Sequence, residues 1–107
     1  LDLEHLPNTL VILCAQNNSF EGTISLTRLP ETLCILRLEM NRLSGSIDLT
    51  CLPAALQKLF FGNNRLGSVD YTQLPSRLQV VSLNENDLEG ECDFTKLPDT
   101  MEELHVS

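Results

Sequence analysis

The chain has 107 residues and a formal charge of −8 from 15 acidic and 7 basic side chains, with 42% hydrophobic residues, 5% aromatics and no Trp. Its longest apolar run, Leu10 to Ala15, is far shorter than a membrane-spanning helix needs. The net charge repels phosphate backbones and anionic headgroups, which argues against nucleic acid and membrane surfaces as partners. Against that plain background one residue type is in excess: 22 positions are leucine, well beyond its ordinary place as the commonest residue.

The dipeptide Leu-Pro recurs at Leu6-Pro7, Leu29-Pro30, Leu52-Pro53, Leu74-Pro75 and Leu97-Pro98, at spacings of 23, 23, 22 and 23. A fixed period of this size marks a solenoid. Stacked on it, the chain follows one frame, L-x-x-L-x-L-x-x-N-x-L-x-G-x-I-D-L-T-x-L-P-x-x. Residues 1–9 form a partial repeat that opens at frame position 15. Repeat 10–32 places Ala15, Phe20 and Ser25 at positions 6, 11 and 16. Repeat 33–55 fits at every specified place, and repeat 56–77 lacks one residue just before Gly67. Repeat 78–100 carries Val81, Cys92 and Phe94 at apolar positions, and residues 101–107 fit positions 1 to 7. Neither end supplies the polar cap that a solenoid needs. The expectation is therefore a fragment of a longer stack, the alternative being a small protein that associates end to end.

Within a repeat, the alternation at positions 4 and 6 (Leu36 and Leu38, or Val81 and Leu83) predicts a short strand with one buried face. Stacked repeats turn these strands into a parallel sheet. Asn18, Asn41, Asn64 and Asn86 follow the strand where the chain bends inward. An amide carries both donors and an acceptor, so these residues are expected to form a ladder that satisfies backbone groups buried at the bend. Ser46 to Thr50 alternates again and predicts a second short strand, since no segment offers ten residues of helical periodicity. Leu-Pro then closes the coil in a tight or 3₁₀-like turn. The low aromatic content fits inward slots of aliphatic size.

The repeated L-x-x-L-x-L-x-x-N-x-L resembles the leucine-rich repeat, and the resemblance covers the whole chain. Its L-x-G-x-I segment resembles the plant-type subclass, while Asp-Leu-Thr-x-Leu-Pro is closer to arrays of unicellular eukaryotes. The resemblance implies a right-handed solenoid of the α/β leucine-rich-repeat class, but rich in β structure. It would have a parallel concave sheet of about five short strands, short second strands or 3₁₀ turns opposite, and little or no α-helix. It also implies a binding scaffold.

In such an array the outward strand residues carry recognition. Position 3 holds Ile12, Ile35, Lys58, Val80 and Glu103; position 5 holds Cys14, Arg37, Phe60, Ser82 and His105. Position 7 holds Gln16, Glu39, Gly62 and Asn84; position 8 holds Asn17, Met40, Asn63 and Glu85. These positions vary between copies while the frame leucines hardly do. The candidate partner-binding face comprises Ile12, Cys14, Ile35, Arg37, Glu39, Met40, Lys58, Phe60, Val80, Ser82, Asn84 and His105. Phe60 beside Arg37 and Lys58 has the make-up of an interface anchor; the competing explanation is that β-branched and aromatic residues favour strands wherever they point. Residues 85–103 carry a net −7 and adjoin a cationic middle of Arg37, Arg42, Lys58 and Arg65. That polarity would suit a complementary partner, or is simply a solvated charged surface.

Chemistry is not expected. An Asp column at position 16 (Asp2, Asp48, Asp70, Asp93) would set carboxylates roughly 5 Å apart. A single file offers a cation few ligands, so hydrogen bonds to Thr27, Thr50, Thr72 and Thr95 are preferred and no metal or cofactor is assigned. His5 and His105 lie at opposite ends, and Cys14, Cys34, Cys51 and Cys92 fall at frame positions that do not stack into disulfides. Unpaired thiols lean toward a reducing compartment; the Asn17-Asn18-Ser19 sequon leans the other way. The function expected is a non-catalytic scaffold that binds a protein partner of unknown identity. The alternatives are a substrate-recruiting arm of a larger enzyme or effector, and a surface or adhesion protein that binds host protein or glycan.

Overall fold

The computed structural model describes residues 3–70, 74–86 and 101–105. Five three-residue strands, one per repeat, form at frame positions 3 to 5: β1 (Ile12–Cys14), β3 (Ile35–Arg37), β5 (Lys58–Phe60), β7 (Val80–Ser82) and β8 (Glu103–His105). They make one parallel sheet in the order β1-β3-β5-β7-β8, with equal frame positions directly paired. A second parallel sheet, β2-β4-β6, is built from β2 (Glu21–Gly22), β4 (Arg42–Asp48) and β6 (Arg65–Asp70). No helix occurs among the described residues. The chain is a β-rich parallel-sheet solenoid.

Backbone bonding repeats as regularly as the sequence. The position-2 carbonyl of each coil accepts two amides from the next: Val11 O takes Cys34 N–H at 2.7 Å and Ile35 N–H at 3.2 Å, and Cys34 O takes those of Gln57 and Lys58. Each of the four described Leu-Pro turns is closed by the proline carbonyl, which accepts the leading leucine amide of the next repeat: Pro7 O from Leu10, Pro30 O from Leu33, Pro53 O from Leu56 and Pro75 O from Leu78, at 3.1–3.2 Å. Proline thus opens the turn. Its ring fixes one dihedral and its carbonyl supplies the closing bond.

Between the sheets lies the core. Leu33, Leu56 and Leu78 at position 1, Leu36, Leu59 and Val81 at position 4, and Leu43 and Leu66 at position 11 are all fully buried. Ile47 and Leu49 enter from the opposite wall. Each such side chain contributes about 1.5–3 kcal/mol by leaving water. The slots are not uniformly aliphatic, because Phe61 fills position 6 of the third coil and is fully buried. It stands in the column of Leu38 and Leu83, in the coil that is one residue short.

The second strand differs from its prediction. β4 begins at Arg42, right after Asn41, and ends at Asp48, whereas alternation pointed to Ser46–Thr50. Pairing begins where the backbone comes into reach, with the Arg42 amide donating to Phe20 O at 2.8 Å, and side-chain alternation does not report that. Neighbouring second strands are also staggered: Glu21 and Gly22 pair with Arg42 and Leu43, and Ser44 and Gly45 with Arg65 and Leu66. After Gly45 the register shifts, and Ser46, Ile47 and Asp48 meet Ser68, Val69 and Asp70. The missing residue of the third repeat is taken up at this shift. Gly22 and Gly45 have φ of 82° and 81°, while Gly67, their frame equivalent, is not among the positive-φ residues.

The asparagines knit the coils together. Asn64 Nδ2 donates to Phe61 O of its own coil and to Leu38 O of the preceding one, both at 3.0 Å, while its Oδ1 accepts the Leu43 amide at 3.0 Å. Asn41 does the same with Leu38 O, Ala15 O and the Phe20 amide, and Asn86 with Leu83 O, Phe61 O and the Leu66 amide. Each position-6 carbonyl between two such residues therefore receives two amide hydrogens. Asn18, among the described residues, bonds only Ala15 O and Gln16 O, within its own coil.

Two expectations follow from these contacts. Asn64→Ala orphans the Leu43 amide, whereas Leu38 O and Phe61 O keep a partner in Asn41 and Asn86. The loss should be about 2–4 kcal/mol and visible in a thermal melt as a fall of roughly 10 °C or more. Asn64→Asp should fall as well, since the oxygen that replaces Nδ2 would face the Leu38 and Phe61 carbonyls. The equivalent glycines should part company: Gly45→Ala strains a positive φ and sets a Cβ 2.8 Å from Thr23 Cγ2, whereas Gly67→Ala meets nothing nearer than Gly45 O at 3.9 Å. Denaturant titration should show at least about 1 kcal/mol lost at Gly45 and little change at Gly67.

Candidate functional site

The outward face of the five-stranded sheet presents two rows in register, Ile12, Ile35, Lys58, Val80, Glu103 and Cys14, Arg37, Phe60, Ser82, His105. Phe60 occupies the middle strand. Arg37, its register neighbour, lies with Cζ 4.8 Å from the ring centroid, within cation–π range. Arg37 Nε donates to Glu39 Oε1 at 3.0 Å. The guanidinium side chain is 43% exposed and Glu39 16%. Solvent screens such a pair, so its value lies in holding the guanidinium over the ring more than in stability.

A parallel link recurs in the fourth coil, where Ser82 Oγ donates to Asn84 Oδ1 at 2.6 Å. Between Glu39 and Asn84 in the position-7 row stands Gly62, which is buried. A Cβ there would lie 2.9 Å from Asn84 Oδ1. Positions 5 and 7 therefore act in pairs, with Phe60 left beside a residue that has no side chain.

The expected face residues are not equally accessible. Ile12 and Met40 are 51% and 52% exposed, Cys14 and His105 are exposed, and Ile35, Arg37, Glu39, Lys58, Phe60, Ser82 and Asn84 are half-buried. Val80 departs from expectation at 7% exposure, although it does not join the inner core cluster. It stands in register between Lys58 and Glu103 on a central strand of the sheet. Val11, at 47% exposure, is an accessible apolar residue that frame reasoning passed over. The clue lay in its column, where later copies hold Gln57, Gln79 and Glu102.

Frame position 8 has a property that its residue types conceal. Asn17, Met40, Asn63 and Glu85 all adopt positive φ, between 56° and 60°. Their amides extend the inter-coil bonding: Asn17 to Glu39 O, Met40 to Gly62 O and Asn63 to Asn84 O, at 2.9–3.1 Å. Asparagine suits this left-handed turn; methionine and glutamate adopt it at a cost of about 1 kcal/mol.

On the second sheet, Asp48 and Asp70 are paired in register. Asp48 Oδ1 accepts both the backbone amide and the hydroxyl of Thr50, and Ser25 and Thr27 share a hydrogen bond of the same spacing. Asp2, Thr72, Asp93 and Thr95 lie outside the described residues. Among the described residues no three His, Cys, Asp or Glu side chains gather as a metal site would need. Cys14, Cys34 and Cys51 are free thiols; Cys92 lies outside the described residues. Cys14 and His105 sit on the two edge strands, roughly 19 Å apart at strand spacing and out of reach for any joint chemistry.

No family model, curated protein or solved structure matches the chain.

The two Thr50 bonds, the hydroxyl first, hold the Asp48 carboxyl below its ordinary value of 3.8. A depressed carboxylate contributes stability above its unfolded value and loses it as pH falls through the lower folded one. Thr50→Val removes the hydroxyl and should move the Asp48 titration, followed by NMR, upward toward the ordinary value. An unmoved midpoint would show that the hydroxyl does not matter.

Proposed function

We propose that the chain is a leucine-rich-repeat array that recognises a protein partner through the outer face of its five-stranded sheet and has no catalysis of its own. In favour of the family are the 22–23-residue period, the L-x-x-L-x-L-x-x-N-x-L frame and the asparagine bonding that repeats with it. Recognition is favoured by the contrast between inward columns that scarcely change and outward rows that change at every coil. The observation that carries it is Phe60, half-buried on the central strand with Arg37 fastened above its ring. An aromatic and an arginine held together at the centre of a face are the residue types on which interface energy concentrates.

Affinity capture from an extract of the source cells, comparing wild type with Phe60→Ala combined with Arg37→Ala, tests this face. A Ser46→Ala variant of the second sheet serves as control. The double variant should recover its partners at least about fivefold less well while the control recovers them fully. Equal recovery by all three would sink the proposed face.

A further inference from the structure

Three large apolar side chains are exposed among the described residues, Val11, Ile12 and Met40, and all belong to the first two full repeats. Met40 is unfavourable twice over. It holds a φ of 60° that a methionine resists, and it leaves half its apolar surface in water. Asparagine stands at the same frame position in Asn17 and Asn63 with nearly the same φ, so the turn itself does not call for methionine. A residue that opposes folding on two counts points to a contact made outside the chain.

Two cationic residues stand in the outward rows of the same sheet. Arg37 gives Glu39 its Nε hydrogen and leaves its Nη hydrogens free among the described residues. Lys58, two residues before Phe60 on the same strand, makes no ion pair among them. The overall charge of −8 would repel an acidic ligand, but it is concentrated in residues 85–103. Glu103 is two strands from Lys58, and Glu85 two coils from Arg37. Each separation is roughly 10 Å, beyond a screening length of about 8 Å in physiological salt. Glu39 offsets one of the two local cations, so Lys58 and the Nη edge of Arg37 leave this spot with a net positive charge.

We infer that Met40, Phe60, Arg37 and Lys58 form a docking site for an extended polypeptide segment that carries a carboxylate beside a large apolar side chain. The carboxylate meets Lys58 and the open Nη edge of Arg37. The apolar side chain lies on the uncovered part of the Phe60 ring, and Met40, whose amide is tied to Gly62 O, closes the site at its rim. This rests on the reading that the sheet face binds protein, and it adds the chemistry of the ligand.

The test is a displayed library of random peptides selected on the full chain, followed by titration of the consensus peptide by fluorescence anisotropy. Selected peptides should pair Asp or Glu with a bulky apolar residue. Their Kd should rise by about tenfold in Lys58→Glu and severalfold in Met40→Asn, although Met40→Asn should melt no lower than wild type. Binding should also weaken as salt is raised. Basic or uncharged consensus peptides, no enrichment at all, or affinities indifferent to Lys58→Glu and Met40→Asn would each overturn the proposal. Peptides of another class that still lose binding in Phe60→Ala would leave the face standing and remove only the ligand chemistry. Peptides indifferent to all three variants would remove both.

Discussion

Every coil turns inward at frame position 9, and there three sets of backbone groups leave the sheet and enter the interior. The amide side chain of one asparagine meets all three. It donates to its own coil and to the one before, and accepts the amide at position 11 of the one before, as Asn64 does with Phe61, Leu38 and Leu43. Apolar side chains at the bend would leave buried donors and acceptors unpaired at about 1–3 kcal/mol each. The columns of leucine can be so uniform because one polar residue per coil relieves the interior of its backbone demands. Cohesion along the stack has the same origin, since Asn41, Asn64 and Asn86 each bond backward across the coil boundary.

Once that interior is satisfied, the two walls have different freedoms. The five-stranded sheet keeps frame positions directly opposite one another through all its strands, so whatever stands at position 3 or 5 is placed beside its counterpart in the next coil. Arg37 can rest on Phe60 because of that register. The second sheet is staggered and then shifts, and its outward groups satisfy one another locally, as Asp48 and Thr50 do. One wall arranges side chains from successive coils side by side, and the other closes the coil.

Much of this was legible in the leucine frame, because period and alternation are properties of side-chain burial. The strand at positions 3 to 5, the inward columns and the turn after Leu-Pro all follow from where apolar residues must go. What the frame concealed depends on backbone geometry or on neighbours across coils. Positive φ at position 8 is suggested by Asn17 and Asn63 but masked by Met40 and Glu85. β4 starts at Arg42 because a carbonyl of the previous coil lies within reach, and no alternation marks that residue. Val80 is buried on a strand whose register partners, Lys58 and Glu103, lie 22 and 23 residues away in the chain, and Phe61 shows that a column of leucines can admit a ring in the shortened coil. The proximity of Arg37 and Phe60 was foreseeable from their shared frame position; the clamp by Glu39, two residues on, is not marked by the frame.

The one-residue deletion before Gly67 is absorbed where β4 and β6 change register, and Lys58, Leu59 and Phe60 still align with both neighbours as though nothing were missing. The solenoid thus confines variation in repeat length to its rear wall. A repeat of 22 residues stands among repeats of 23 without disturbing the register in which the front rows are displayed. An array built this way can change the residues of its front rows and the length of its coils as two independent variables.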